Sequence, residues 1–369
     1  MNGADHKNHF RTRPEVEFLL CLSRTHLDPE NHQRAHELLE QPLDWDYLCN
    51  TAFWHGTSQL MDRHLTREFA GAVPAEAAAK IREFCDHNVE RSLTLARELA
   101  AVMTIFQSKG IRALAYKGPC LAKAAYGDLT LRAFGDLDIL VFHPDVPVCA
   151  QIFRDRGYVL GEHTAVTTTG SEGRIRHEQR FLLHRPPGSQ PPVISVELQW
   201  AIGQRRYFSR GSAEDFWPGH QIVSIEGVDI PTLAMQDLFP VLCVHGAKHF
   251  WRQLKWICDI AEIVAGQGGD LDWTALQRRA VDWDCYRVLL LGLHLAGDMF
   301  GITLPPSIRE KANSLPAVHS LTAQIKAWMF RAIDPRLTMS ERLLFRVRSR
   351  ERLRSNMIHI WSKLLWLRD

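Results

Sequence analysis

Asp136 and Asp138 stand one residue apart in LRAFGDLDILV (131–141), at the head of an apolar run. The run predicts a strand over 134–142. Side chains alternate along a strand, so both acids project to one face while Leu137, Ile139 and Val141 take the other. Such carboxylates are hard oxygen donors, the kind Mg2+ takes together with substrate phosphates. Two ions roughly 3.5–4 Å apart activate an attacking oxygen and steady a leaving one. The plain alternative is an acidic turn. A third acid, Glu197, lies in PVISVELQW (192–200), on the face opposite Ile194, Val196, Leu198 and Trp200. If its strand neighbours the first, the three acids converge; otherwise Glu197 is a solvated strand residue. Upstream, YKGPC puts Lys117 and Gly118 between a strand and a helix start, where free N–H groups and a permissive backbone suit a phosphate. Arg132 is a candidate to reach a triphosphate, against the reading of a surface arginine.

A second constellation lies in MQDLFPVLCVHGAKHFWRQLKWICDIAEIV (235–264), which predicts one helix bent at Pro240 and Gly246. At about 100° per residue, His245, Lys248, His249, Arg252, Trp256 and Asp259 fall on one stripe, beside an apolar stripe of Leu242, Leu254, Ile257, Ile260, Ala261 and Val264. Three readings compete. His245 and His249 are four apart, a spacing that binds zinc, but no third ligand is evident. The stripe is otherwise a solvated face, or the wall of a cleft opposite the acids. We favour the last. There Lys248 and Arg252 would hold phosphates, Trp256 would stack or pack, and His245 or His249 would orient an acceptor or act as base. Asp259 is alternatively a structural partner for Arg252.

The elements that must position these residues follow from pattern. Residues 1–14 read as a disordered tail. Residues 15–110 are helical, with a break near Gly56 and one long helix over 74–110 that stops at Lys109-Gly110. Residues 111–230 hold the strands: 111–118, 134–142, 174–185 and 192–200, with short helices over 119–127 and 146–158. Residues 231–369 are helical again, including 273–300 and 316–332. The tail 336–366 is amphipathic. Its first part, 336–354, carries seven arginines against two glutamates. Such a helix is a contact surface for an anionic partner, or packs on its own domain with its arginines solvated. The second option is favoured.

The bulk numbers place the chain among ordinary soluble proteins: 369 residues, 46% hydrophobic, 23% charged, net charge +2. That charge demands no nucleic-acid partner, and no stable nucleic-acid complex is expected. Eight cysteines without a CxxC pair suit buried thiols rather than zinc or disulfides. There is no apolar signal core and no stretch long enough to span a membrane, so a cytoplasmic location is expected.

Residues 114–141, LAYKGPCLAKAAYGDLTLRAFGDLDILV, resemble the uncharacterised nucleotidyltransferase family of the DNA polymerase β-type superfamily. Lys117, Gly118, Tyr126, Gly127, Asp128, Arg132, Asp136 and Asp138 match its pattern. VELQW resembles the strand of its third acid, HGAKHFWRQLKWICDIAEIV its C-terminal helical signature, and DWDYLCNTAFWHGTSQLMDRHL its N-terminal helical segment. Two positions depart: Gly118-Pro119 stands where the wider superfamily has Gly-Ser, and Gln199 where the family commonly has His. The resemblance implies an α+β fold, a minimal α/β nucleotidyltransferase domain flanked by helical regions. It implies Asp136, Asp138 and Glu197 as catalytic metal ligands for two Mg2+ ions, with Mn2+ as a substitute. Lys117, Gly118 and Arg132 would steady the triphosphate of an NTP, with ATP the expected donor. The acceptor hydroxyl is open: a small molecule, a protein side chain or RNA. A rival reading is a non-catalytic nucleotide-binding partner or regulator of a biosynthetic assembly. A nucleotide-transferring toxin is a third.

Overall fold

The computed structural model of the chain describes residues 13–161, 177–202 and 211–351. Five strands form one mixed sheet: β1 (Ala113–Ala115), β2 (Leu137–Val141), β3 (Val159–Leu160), β4 (Glu178–His184) and β5 (Val193–Gln199), in the order β1-β2-β5-β4-β3. Only β2 and β5 run parallel. Two small ribbons follow, β6 (Ala201–Ile202) with β7 (Gly211–Ser212), and β8 (Gln221–Ile225) with β9 (Val228–Thr232).

Before the sheet come α1 (Pro14–Leu22), α2 (Pro29–Leu39), α3 (Trp45–His55), α4 (Ser58–Glu68) and α5 (Ala75–Ser108). Within it lie α6 (Gly118–Tyr126), α7 (Val146–Asp155) and the short α8 (Ala213–Phe216). After it come α9 (Met235–Lys248), α10 (Lys255–Gln267), α11 (Trp273–Asp282), α12 (Tyr286–Phe300), α13 (Pro306–Asn313), α14 (Pro316–Met329) and α15 (Met339–Arg348). The starts have local causes. Asp28 and Asp44 accept from the backbone N–H groups of Asn31 and Tyr47, and Thr338 with Glu341 forms a capping box. Gly56 ends α3 in the left-handed region, φ 68°, where a side chain would be strained.

The sheet separates two cores. Ala113, Ala115, Leu137, Ile139, Val141, Val196 and Leu198 face one side, where they pack with α5, α7 and the β8–β9 hairpin. Leu114, Tyr116, Leu140 and Phe142 face the other, under a single assembly built from α1–α4 together with α9–α15. By strand alternation Asp138 shares the second face with Leu140, so the acids look toward that helical assembly. The architecture is the expected α+β one, a small mixed sheet flanked by helices on both sides in sequence.

Several elements differ from the pattern-based expectation. The helix expected over 235–264 is two helices, parted at 249–254, and Pro240 lies inside α9 without ending it. The β8–β9 hairpin has no counterpart in the expectation, although Ile222, Val223 and Ile225 around Glu226-Gly227 carry the signal. Both turn residues have positive φ, 51° and 78°. The span 273–300 is two helices separated at Asp284, φ 58°. The tail 1–14 up to residue 12, the strand residues 174–176 and the basic segment from 352 onward lie outside the described residues. All eight cysteines are buried and free, and among the described residues no helix is long and apolar enough to cross a membrane.

Candidate active site

Parallel pairing of β2 with β5 places Asp138 directly opposite Glu197. Residues in register on neighbouring strands project to the same face, so the two carboxylates meet while Ile139 and Leu198 turn into the opposite core. Asp136 sits one residue before β2, half-buried, two positions from Asp138. The phosphate-type turn is packed onto this segment. Gly118 has φ 51°, and a Cβ there would stand 3.2 Å from the carbonyl oxygen of Asp136. Glycine is therefore required twice over, by conformation and by close approach.

Lys117 precedes that glycine, and its Nζ lies 2.8 Å from Asp138 Oδ1. Burial alone would lower the lysine pKa, but the charges of Asp138, Asp136 and Glu197 outweigh it and hold the ammonium protonated. Asp138 is pushed up to about 6, by burial first and then by repulsion from Asp136 and Glu197, against the pull of Lys117. For Glu197 burial also acts upward. The hydrogen bond from Arg180, with the charges of Lys117, Arg180 and Lys248, prevails and holds the carboxyl below its ordinary value.

Two of these contacts escaped the sequence reading. Arg180 is opposite Glu197 in the β4–β5 register, and its Nη2 lies 2.5 Å from Glu197 Oε1. Gln199, the departure from the family pattern, bridges the acids: its Nε2 donates to Asp138 Oδ1 at 3.1 Å and to Glu197 Oε2 at 3.2 Å. Its own carbonyl accepts from the Tyr116 hydroxyl at 2.6 Å. The amide thus fixes the separation of two carboxylates and is itself fixed. The period-2 placement of Gln199 beside Glu197 was the available signal.

The donor chemistry fits a hard divalent cation: carboxylate oxygens from two adjacent strands, with Lys117 and Arg180 supplying positive charge where an ion would. Among the described residues no three or more His, Cys, Asp or Glu already close around one point. An ion here would complete its shell with phosphate oxygens and water, as Mg2+ characteristically does.

The opposite wall comes from α9 and α10. Phe250 and Trp251 take φ of 60° and 52° at the break, a conformation unusual for bulky residues. Trp251 is fully buried against Gly246 and Gly292. A Cβ on Gly246 would lie 2.6 Å from the indole. The break is clamped from α3, since the Leu254 N–H donates to His55 Nδ1 at 3.1 Å and Gln253 Nε2 donates to the Trp54 carbonyl at 2.8 Å. Burial pushes His55 down to about 3, so it stays a neutral acceptor.

His245, His249 and Trp256 form an aromatic cluster on this wall. His249 stacks on Trp256 with centroids 5.2 Å apart, and His245 meets Trp256 edge-on at 5.7 Å. Burial and the neighbouring charges of Lys248, Lys117, Arg252 and Lys255 push His249 down to about 4; burial with Lys117 and His249 holds His245 well below the ordinary imidazole value. Both imidazoles are neutral at pH 7. Lys248 is exposed at the end of α9, near enough to act on Glu197. Arg252 lies 3.6 Å from Asp334.

The pairing suggested between Asp259 and Arg252 does not occur. Asp259 belongs to Arg132, which donates through Nε at 2.6 Å and Nη2 at 2.9 Å, and Asp259 Oδ1 also accepts from the Tyr126 hydroxyl at 2.8 Å. Arg132 is 7% exposed. The Nε–Nη2 edge of its guanidinium is therefore committed to a clasp between the loop after α6 and helix α10.

The chain belongs to a nucleotidyltransferase family whose description is "Uncharacterised nucleotidyltransferase"; the family's sequence profile matches residues 41–301. No curated protein sequence matches the chain. One solved structure similar to it is the crystal structure of an antigenic nucleotidyltransferase-like protein from Paracoccidioides brasiliensis. It is 12% identical, with a TM-score of 0.34 over 58% of this chain and 96% of that one.

Proposed function

We propose that the protein moves a nucleoside monophosphate from an Mg2+-bound NTP to the hydroxyl of an acceptor, releasing pyrophosphate. Membership of a nucleotidyltransferase family supports the general reaction. The observation that carries the reading is the register of Asp138 against Glu197 on parallel strands, with Asp136 two residues before and the Lys117-Gly118 turn packed on its carbonyl. Mg2+ held by Asp136 and Asp138, and shared with Glu197, would neutralise the phosphates and polarise the acceptor oxygen.

The chain's own residues do the rest. Lys117 and the Gly118 turn bind the phosphate chain. Lys248 adds charge from the exposed end of α9. Gln199 and Tyr116 hold Asp138 and Glu197 in place. Glu197, ionised at neutral pH, receives the acceptor proton. Neutral His245 and His249 are suited to hydrogen-bond an uncharged group such as a hydroxyl or a base, and Trp256 backs them. Catalysis of this kind is positioning and charge neutralisation. ATP is the proposed donor and a reducing intracellular compartment the proposed setting, supported by eight buried thiols.

A second reading, a nucleotide binder without turnover, is favoured by one observation: Lys117 and Arg180 already occupy carboxylate oxygens. Calorimetry of each of the four NTPs with and without Mg2+, on the wild type and on Asp136→Ala/Asp138→Ala, tests both. Mg2+-dependent binding lost in the folded double variant supports the acid site, and transfer of an α-phosphate label to an acceptor then separates enzyme from binder. Equal binding by the double variant, or no NTP binding at all, removes the proposal.

A further inference from the structure

Lys255 opens α10, and its stem lies across the end of α3. A Cβ on Gly56 would stand 2.8 Å from Lys255 Cδ, so the left-handed glycine there makes room for the lysine as well as the turn. Among the described residues, no carboxylate lies within ion-pair range of the Lys255 ammonium and no acceptor takes its hydrogens. Asp259, one turn on along α10, is already held by Arg132 and Tyr126. Burial, followed by the charge of Arg132, pulls Lys255 down to about 8; Asp259 and Asp136 act the other way.

Arg91 reaches the same place from α5. Its Nη2 donates to the Gly135 carbonyl at 3.3 Å, and a Cβ on Gly135 would lie 2.6 Å from that nitrogen. Its Nε is buried with no partner among the described residues. One cation from the N-terminal helices thus contacts Gly135, and one from the C-terminal helices lies within electrostatic reach of Asp136, both with unfilled hydrogen-bonding capacity. Both side chains are half-buried, and an anionic ligand would take up the donors they leave free.

Position says which anion. Arg132, Arg91 and Lys255 stand toward Asp136, the end on whose carbonyl the Lys117-Gly118 turn is packed. A strand-to-helix turn of this kind, with its glycine and free N–H groups, suits a phosphate, so the Asp136 end faces the phosphate chain. We infer that Arg91 and Lys255 form a polyphosphate subsite that takes the β- and γ-phosphates of the nucleotide, the part that leaves as pyrophosphate. The inference rests on the nucleotidyl-transfer reading above.

Calorimetry with Mg2+-ATP, Mg2+-tripolyphosphate and AMP tests it on the wild type, Lys255→Met and Arg91→Gln. Each variant is expected to weaken ATP and tripolyphosphate about tenfold to a hundredfold, and to leave AMP unchanged. Folded variants that bind Mg2+-ATP like the wild type overturn the subsite and leave the transfer reading standing. A wild type that binds no Mg2+-NTP overturns both. If a variant does not fold, acetylation of Lys255 in the unaltered protein, read by mass spectrometry, decides. Protection by Mg2+-ATP but not by AMP supports the subsite, and equal acetylation with ATP bound overturns it.

Discussion

Two buried groups of acids and bases lie on either side of the loop that joins α6 to β2, and they differ in balance. At the clasp one carboxylate, Asp259, meets one guanidinium through two hydrogen bonds and takes a third from Tyr126. At the strand ends three carboxylates crowd around Lys117 and Arg180, an amide bridges two of them, and Asp138 rises to about 6. The clasp is closed, with each charge matched. The strand-end group carries more acid than its geometry can satisfy. A closed pair locks two elements together, whereas a group with excess negative charge is ready for a cation.

Truncation is expected to separate the two groups. Asp138→Ala is expected to cut turnover by about a hundredfold to a thousandfold or more while leaving the protein folded, read by label transfer beside a thermal melt. Asp259→Ala is expected to act on stability instead. It leaves a buried guanidinium unpaired and should cost about 3–5 kcal/mol, measured by denaturant unfolding. Replacing both Arg132 and Asp259 by Met should cost less than Asp259→Ala alone, because no buried charge is then stranded. Destabilisation by Asp138→Ala as large as that by Asp259→Ala, with turnover retained, would erase the distinction.

Smaller effects are expected within the strand-end group. Gln199→Ala frees Asp138 and Glu197 from their bridge and is expected to lower turnover about tenfold to a hundredfold, with little change in melting. Gln199→His, which restores the commoner family residue, should lose less, and the ratio of the two rates measures what the bridge does. The smallest effect concerns pH. Asp138 must be ionised to hold a cation, and it is raised to about 6. Mg2+-dependent NTP binding should therefore be full above about pH 7 and weaken as pH falls through 6. Titration calorimetry across pH 5–8 checks this, and a flat profile would show that Asp138 does not control the ion.

Much of the strand-end group was legible because strand alternation is a local rule. Asp136 with Asp138, and Glu197 against Ile194, Val196 and Leu198, follow from a period of two. The family pattern added Lys117 and Gly118. The second wall was harder. A helical wheel treats 235–264 as one rod, and it correctly collects His245, Lys248, His249 and Trp256. It cannot foresee that Phe250 and Trp251 take left-handed backbone. That break depends on Trp251 settling on Gly246 and Gly292, and on His55 and Trp54 receiving the freed backbone and side-chain donors. Those partners lie more than forty residues away on α12 and almost two hundred away on α3.

By itself the sequence determined the family, the α+β class and the identity of three acids, because local periodicity and a short spaced pattern suffice for each. Only the tertiary structure decided which charges pair. Arg132 reads the same in sequence whether it meets a phosphate or Asp259, and Gln199 looks like a loss until β2 lies parallel to β5. Ionic pairing depends on distance through space and on burial, and neither is a property of neighbouring positions along the chain.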